Sequence, residues 1–269
     1  MRQRLARVLV GVLGAAVSCS AAVALTAREI LDKTKALEDT SRHWVDRAQR
    51  MTLKIYSAGS DERRREIVAY TKRYPGDEEK TISFILVGAE VKGVGFLQWT
   101  HKSREAEQWL YLPELRRTRQ ISARLRDESF VGTDFTYREL EILEDVLRWS
   151  EDEASAKLLG DESIGGIACA MIELRPKQAG IPYQGMVLWM DRDKLVPRKF
   201  DFSDREGAHV KTLTLDDVRD LATIPTPHRL EMQNLKKGSH TVVELTEVTY
   251  NVGLSDELFT QRQLERGAP

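Results

Sequence analysis

The chain has 269 residues, of which 41% are hydrophobic and 31% charged, and its formal net charge at pH 7 is −1. This near-neutral balance disfavours nucleic-acid binding, which depends on strongly basic surfaces, so no nucleic-acid partner is predicted. Two cysteines are too few for a small disulfide-stabilised fold, so a hydrophobic core has to provide the stability.

The first 24 residues have the features of a secretory signal peptide. Three arginines within the first seven residues precede an apolar stretch that begins at Val8, and small residues follow up to Ala24. This order predicts cleavage after Ala24 and export to the periplasm. Two alternatives stay open: an uncleaved signal anchor, and lipidation of Cys19 in the sequence AVSC.

An amphipathic helix is predicted at the start of the mature chain. Thr26 and Glu29 form a T-x-x-E capping box. Apolar residues then recur at helical spacing, at Ile30, Leu31 and Leu37. A single apolar stripe of this kind requires an apolar surface beneath the helix.

From about Arg47 the sequence changes to short strand-like runs separated by turn sequences such as YPGDEE and KKGS. A second helical stretch, TYRELEILEDVLRW at residues 136–149, interrupts the runs. We therefore predict a mainly β fold with helices (α+β), in one domain over residues 25–269, with an antiparallel sheet of about eleven strands. A sheet of that size must curl, and helices on its inner side leave a pocket between them.

The segment ESFVGTDFTYRELE, residues 128–141, is the most distinctive part of the chain. Gly132 permits a backbone conformation that other residues resist, and Thr133 or Asp134 can cap the following helix. Phe130 and Phe135 would anchor the loop in the apolar interior. On one interpretation the segment is a latch between sheet and helix. On the other, Gly132, Thr133 and Asp134 are the hinge of a lid over a ligand pocket.

Three strand-like runs are apolar on both faces: FILV (84–87), WLYL (109–112) and MVLWM (186–190). An antiparallel sheet with one solvated face would alternate apolar and polar residues. Either ordinary core covers both faces of these strands, or one face lines a cavity.

Catalytic, metal-binding and nucleotide-binding signatures are missing from the sequence. The five histidines are scattered, without an H-x-x-x-H pair, and G-x-S-x-G does not occur. Cys169 lies in a strand-like run and is interpreted as a buried, inert thiol. The sequence therefore predicts no cofactor and no metal.

An arginine-rich stretch, RRTRQISARLR, begins at Arg116. In its strand-like part, Arg117 and Arg119 point to one face and Arg116 to the other. The stretch is either a charged edge strand that resists aggregation, or a contact for anionic lipid headgroups or an acidic partner surface. Both interpretations stay open.

Four motifs, GVGFLQW, WLYLPELRRTRQIS, SFVGTDFTYREL and LFTQRQLE, occur in this order. Together they resemble the outer-membrane lipoprotein-sorting protein family, which is related to the LolA and LolB lipoprotein carriers. The resemblance covers roughly Thr26 to Glu265. It implies a curled antiparallel half-barrel closed by a helical lid, an apolar cavity for acyl chains and no enzymatic activity. It also implies an RND-type inner-membrane transporter as a partner.

These observations lead to a functional hypothesis: a periplasmic carrier or chaperone that binds acyl chains of a lipoprotein or lipid and passes them between envelope membranes, with transient membrane contact. At roughly 0.8 kcal/mol per buried methylene, one sixteen-carbon chain is worth about 12 kcal/mol of burial. The predicted cavity wall consists of Phe84, Leu86, Leu97, Trp99, Trp109, Tyr111, Phe130, Phe135, Val187 and Trp189. The alternatives are a non-carrying periplasmic adaptor that stabilises an envelope transport complex, and a hydrolase with unfamiliar residues.

Overall fold

The computed structural model of the chain describes residues 25–102 and 104–269. The strands are β1 Asp46–Tyr56, β2 Arg63–Tyr74, β3 Glu78–Val87, β4 Gly95–Thr100, β5 Glu107–Leu112, β6 Arg117–Gln120, β7 Ala154–Ile164, β8 Ile167–Pro176, β9 Gly185–Asp191, β10 Pro197–Ser203, β11 His209–Leu221, β12 Ile224–Asn234 and β13 Ser239–Tyr250. The α-helices are α1 Ala27–Asp39, α2 Tyr137–Asp145 and α3 Gln261–Arg266. The predicted signal peptide, including Cys19, lies outside the described residues.

All these strands belong to one antiparallel sheet that does not close. Two meanders of consecutive strands, β1–β6 and β7–β13, join where β1 pairs with β13, so that β6 and β7 form the edges. The predicted mainly antiparallel fold with a few helices is confirmed. The sheet has 13 strands rather than about eleven, because every strand-like run of the sequence forms a strand of its own.

Residues 121–153, which we call the crossover segment, connect the two edges of the sheet. They run from the end of β6 to the start of β7 and include α2. Phe130, Phe135 and Ile142 of this segment pack in one core with sheet residues such as Leu53 and Leu213. The crossover segment therefore lies across one face of the curled sheet, which we call the concave face.

Helix α1 packs beside the crossover segment. Its predicted capping box is confirmed: the N–H of Thr26 donates to Glu29 Oε2 at 2.7 Å, and that of Glu29 to Thr26 Oγ1 at 3.3 Å. Ile30 and Leu31 are buried in the concave core. The apolar stripe of α1 therefore packs on the concave core, which is the apolar surface that the sequence predicted beneath this helix.

The same type of capping box starts α2. Thr136 Oγ1 accepts from the N–H of Glu139 at 3.1 Å, and Glu139 Oε2 accepts from the N–H of Thr136 at 2.7 Å. The prediction that Thr133 or Asp134 caps this helix is wrong. Thr136 satisfies the free N–H groups of the first turn, and Asp134 bonds to the sheet instead.

The opposite, convex face is covered by the C-terminal residues. Phe259 and Leu264 are fully buried there against Phe84, Leu97 and Trp109. A Cβ at Gly95 would lie 2.7 Å from Leu264 Cδ1, so α3 can approach β4 this closely because position 95 has no side chain. Both faces of β3–β5 are therefore covered.

Candidate functional site

A cavity of about 450 Å³ lies between the concave face and the crossover segment. This volume falls within the range of small-molecule sites, about 300–1,000 Å³. Its apolar wall consists of Met51, Leu53, Ile67, Phe96, Phe130, Phe135, Leu140, Leu143, Leu147, Leu215, Leu230, Val243 and Leu245. An apolar ligand of matching size would lose its contact with water here.

The other end of the cavity is charged and aromatic. Its lining includes Glu38, Arg42, Trp44, Arg47, Arg73, Glu79, Arg148 and Tyr250. Along β1, the cavity-lining residues change from Leu53 and Met51 to Gln49 and Arg47. The cavity-lining residues of neighbouring β2 also change from apolar to polar in this direction, because the polar end of β2 pairs with the start of β1. The site is therefore amphiphilic along the strand axis.

Two prolines interrupt the hydrogen bonding of the sheet near this charged end. Strand β12 pairs with β13 from Arg229 to Asn234, whereas its residues 224–227 pair with β11 alone. Pro225 and Pro227 lack the N–H that a ladder on both sides would need. Both prolines line the cavity, so β12 and β13 part at the cavity wall.

Glu144 of α2 meets three polar side chains of the sheet at the cavity. One of its carboxyl oxygens accepts from Gln98 Nε2 and from Thr100 Oγ1 at 2.8 Å, and the other accepts from Thr81 Oγ1 at 3.3 Å. Burial, together with the charge of Glu79, raises the pKa of Glu144 to about 8. This carboxyl is therefore mostly protonated at neutral pH.

The Gly-Thr-Asp part of the crossover segment is fastened to β11 and β13. The carboxylate of Asp134 accepts hydrogen bonds from Ser239 at 2.5 Å and Thr241 at 2.7 Å. Lys211 Nζ donates to the backbone carbonyl of Asp134 at 2.7 Å and to Glu139 at 2.9 Å. Asp134, Lys211 and Glu139 are buried. These bonds fit the latch interpretation of the segment.

A tight turn precedes Asp134. Val131 and Gly132 both have positive φ, 43° and 77°, a conformation that glycine tolerates and a β-branched residue resists. The turn is closed by the N–H of Phe130, which donates to the carbonyl of Phe135 at 2.7 Å. It thereby places both phenylalanines at the cavity.

Most of the chain resembles solved structures. A domain from Vibrio parahaemolyticus named for outer membrane lipoprotein sorting has a TM-score of 0.80 and 27% identity, covering 88% of this chain and 97% of its own. A DUF1329 family protein from Desulfovibrio piger has a TM-score of 0.81 and 26% identity, with 88% and 98% coverage. A family model described as "-like: Uncharacterized protein" matches residues 77–266, more than half of the chain. The chain belongs to a LolA-like lipoprotein-sorting family.

The wider LolA superfamily shares the fold. One of its members, from Nitrosomonas europaea, has a TM-score of 0.66 at 18% identity and covers 89% of this chain and 100% of its own. No curated protein sequence matches the chain.

In this LolA-like structure, the ten residues predicted for the cavity wall divide into two groups. Phe130 and Phe135 line the cavity. The other eight lie on the convex face: Phe84, Leu86, Leu97, Trp99, Trp109 and Tyr111 surround Phe259 and Leu264, and Val187 and Trp189 lie on the outer side of β9. The prediction assigned these eight residues to the wrong face, because apolar side chains cover both faces of their strands.

The convex position of Trp189 is fixed by polar contacts. Its Nε1 donates to Glu162 at 2.8 Å, and Lys199 Nζ lies 4.1 Å from the centroid of its ring. Met186, Leu188 and Met190 alternate with Val187 and Trp189 along the strand, and they belong to the concave core.

Several lining residues were missed, namely Trp44, Arg47, Arg73, Glu144 and Tyr250. The sequence does contain a signal for some of them. Arg47, Gln49, Met51 and Leu53 alternate along β1 and share one face, and a face that changes from charged to apolar suits an amphiphile. Glu144 lies on the apolar side of its helix and gave no such signal.

The predicted surface arginines are all exposed. Arg116 ends a 3-10 turn with a φ of 45°, and Arg117 and Arg119 lie on β6, the edge strand. Thr118 between them donates to Glu265 at 2.8 Å. This position fits both interpretations of the stretch, a protected edge and a contact surface.

Cys169 is free and buried, as predicted, and burial raises the pKa of its thiol. His101 lies 3.3 Å from Glu107 and 3.6 Å from Glu78, at a smaller polar pocket.

Within residues 25–102 and 104–269, no group of three or more His, Cys, Asp or Glu is arranged to hold a metal ion. No helix of this described part is long and apolar enough to cross a membrane.

Proposed function

We propose that this protein is a periplasmic carrier that binds the acyl chains of a lipoprotein or lipid in the concave cavity and passes them between envelope membranes. The apolar cavity under the crossover segment is the observation that carries the proposal. The relative named for lipoprotein sorting supports the class of cargo. The signal peptide predicted at residues 1–24 would bring the chain to the periplasm.

Carrying a lipid requires burial and release rather than bond chemistry. Each methylene removed from water contributes about 0.8 kcal/mol, so even one chain in the cavity is bound by a substantial free energy. The cavity volume suits a single chain-sized ligand better than several chains at once. The proposal therefore assigns no enzymatic activity to the protein.

Delivery requires contact with membranes or their transporters. The exposed Arg116, Arg117 and Arg119 at the β6 edge suit an anionic lipid surface or an acidic partner. An RND-type inner-membrane transporter is the partner that the family resemblance implies. These arginines would attract a membrane or partner electrostatically, so membrane contact should weaken as the salt concentration rises.

The alternative is a periplasmic adaptor that stabilises an envelope complex without carrying cargo. A fully packed interior would have favoured it. The cavity and its apolar wall favour the carrier instead.

The first test is native mass spectrometry of the mature protein, purified from its envelope without detergent, followed by solvent extraction of bound material. A stoichiometric lipid or acylated peptide is the expected result. Leu143→Glu places a charge in the cavity wall and should abolish binding, whereas Leu159→Glu, at a 45% exposed position on β7, should not. A bare protein that also takes up no fluorescent fatty-acid probe would favour the adaptor.

A further inference from the structure

Two arginines at the charged end of the cavity have no carboxylate partner in the described part of the chain. Arg42 and Arg47 both line the cavity, and neither has a carboxylate oxygen within 4.0 Å among the described residues. Arg42 Nη1 donates to the carbonyl of Leu195 at 3.4 Å, a long hydrogen bond. The Nε of Arg47 is buried and has no hydrogen-bond partner.

The neighbouring arginines differ in this respect. Arg73 donates to Glu79 at 3.1 Å, and Arg148 lies 2.9 Å from Asp39 and 2.6 Å from Asp77. The positive charges of Arg73 and Arg148 are thus balanced within the protein. Because a buried, unpaired guanidinium N–H is costly, the lone Nε of Arg47 points to a missing acceptor.

The Trp44 ring contacts the guanidinium groups of Arg47 and Arg73. The guanidinium carbon of Arg47 lies 5.1 Å from the centroid of the Trp44 ring, and that of Arg73 lies 3.8 Å from it. Stacking on an aromatic ring leaves the N–H edge of a guanidinium free to donate. Two parallel N–H groups at such an edge match the oxygens of a phosphate or carboxylate.

We infer that Arg42 and Arg47 bind the anionic headgroup, a phosphate or a carboxylate, of an amphiphile whose acyl chain fills the apolar end of the cavity. This inference rests on the proposed function and names its ligand class. Arg47 and Leu53 are six residues apart on β1, about 20 Å along a strand. This length exceeds the roughly 15 Å that the acyl chains of one membrane leaflet span, so headgroup and chain fit the same groove.

The test compares two amphiphiles that differ in the phosphate alone: 1-palmitoyl lysophosphatidic acid and 1-palmitoylglycerol. Each is titrated into the delipidated mature protein below its micelle-forming concentration, with binding measured calorimetrically. Inorganic phosphate is the third titrant. The variants are Arg42→Gln and Arg47→Gln. The matched control is Arg50→Gln, an exposed residue of the same strand that lies 3.9 Å from Glu247.

We expect the phosphate-bearing lipid to bind about tenfold more tightly than the neutral one, an increment of about 1.4 kcal/mol. Arg42→Gln and Arg47→Gln should each remove most of this preference and leave the affinity for 1-palmitoylglycerol unchanged. Arg50→Gln should leave both affinities unchanged. Circular dichroism checks that the variants fold. Arg42 and Arg47 are both half-buried, and Arg42→Gln gives a test that does not depend on the buried Nε of Arg47.

Equal affinities for both lipids would overturn the headgroup site and leave the carrier standing. Binding of neither lipid would overturn the carrier as well. Inorganic phosphate that binds as tightly as the charged lipid would show a site for a free anion, which also overturns the inference.

Discussion

The carboxyl of Glu144 titrates near neutral pH. Its pKa of about 8 in the folded protein lies above the ordinary value of 4.5, so the folded state holds this proton more tightly than the unfolded chain. The contribution to stability is therefore complete below pH 4.5 and is lost as the pH rises towards 8. Asp145, whose pKa is raised to about 7 by burial, acts in the same direction.

Replacing Glu144 by Gln removes this titration and keeps an oxygen for Gln98 and Thr100. One pKa unit corresponds to about 1.4 kcal/mol. We expect Glu144→Gln to increase the free energy of unfolding at pH 8 by at least about 1 kcal/mol and to flatten its decline between pH 4.5 and pH 8. Urea unfolding across this range measures both. Glu151→Gln, at an exposed position, is the control, and a variant with the wild-type slope would contradict the assignment.

The sequence placed the strands correctly but not the side chains that face the cavity. Glu79 and Thr81 look like the solvated face of β3, yet they line the cavity. Phe84 looks like a wall residue, yet Phe259 and Leu264 cover it. That contact joins residues far apart in the chain, and no local alternation encodes it.

At the scale of elements, the fastening of the crossover segment can be tested at Asp134. Asp134→Ala would leave the buried hydroxyl of Thr241 and the half-buried hydroxyl of Ser239 without their acceptor, at about 1–3 kcal/mol for each unsatisfied buried group. We expect the free energy of unfolding to fall by about 2–4 kcal/mol in urea titrations. Glu128→Ala, an exposed position in the same segment, should change it little. Unchanged stability with an altered rate of ligand uptake would indicate the hinge instead of the latch.

The C-terminal segment should stabilise the fold without contributing to the cavity. Leu264 is fully buried against β4, so Leu264→Ala should lower the free energy of unfolding by about 2–5 kcal/mol. Uptake of a fluorescent fatty-acid probe by the folded variant should remain normal, because the cavity lies on the other face. Leu143→Ala is the matched comparison and should weaken uptake. A folded Leu264→Ala variant without uptake would move the binding site to the convex face.

For the whole molecule, the sequence predicted a curled antiparallel sheet with helices on its inner side. Strand-like runs, turns and the capping box of α1 are local features, so they could be read residue by residue. The pairing of β1 with β13 could not be predicted from local sequence, since its partners, such as Arg47 and Tyr250, come from opposite ends of the chain. The crossover from the β6 edge to the β7 edge follows from that pairing, and with it the position of the cavity.

This architecture offers a ligand two ways in. Either the crossover segment moves, or the ligand enters where β12 and β13 part beside Pro225 and Pro227. The crossover segment is tied to β11 and β13 by Lys211 and Asp134, so we expect it to stay fixed. Residues 245–250 of β13 lack partners on β12, and their outward N–H groups should exchange quickly in the free protein.

Hydrogen exchange followed by mass spectrometry distinguishes the two routes. Adding 1-palmitoylglycerol should slow exchange at residues 245–250 and leave residues 128–136 slow with or without ligand. Fast exchange of residues 128–136 that the ligand suppresses would show that the crossover segment opens as a lid.

Gly132→Val also distinguishes a fixed latch from a hinge, because a φ of 77° strains valine. With a fixed latch it should destabilise the whole fold, whereas a hinge would lose uptake first.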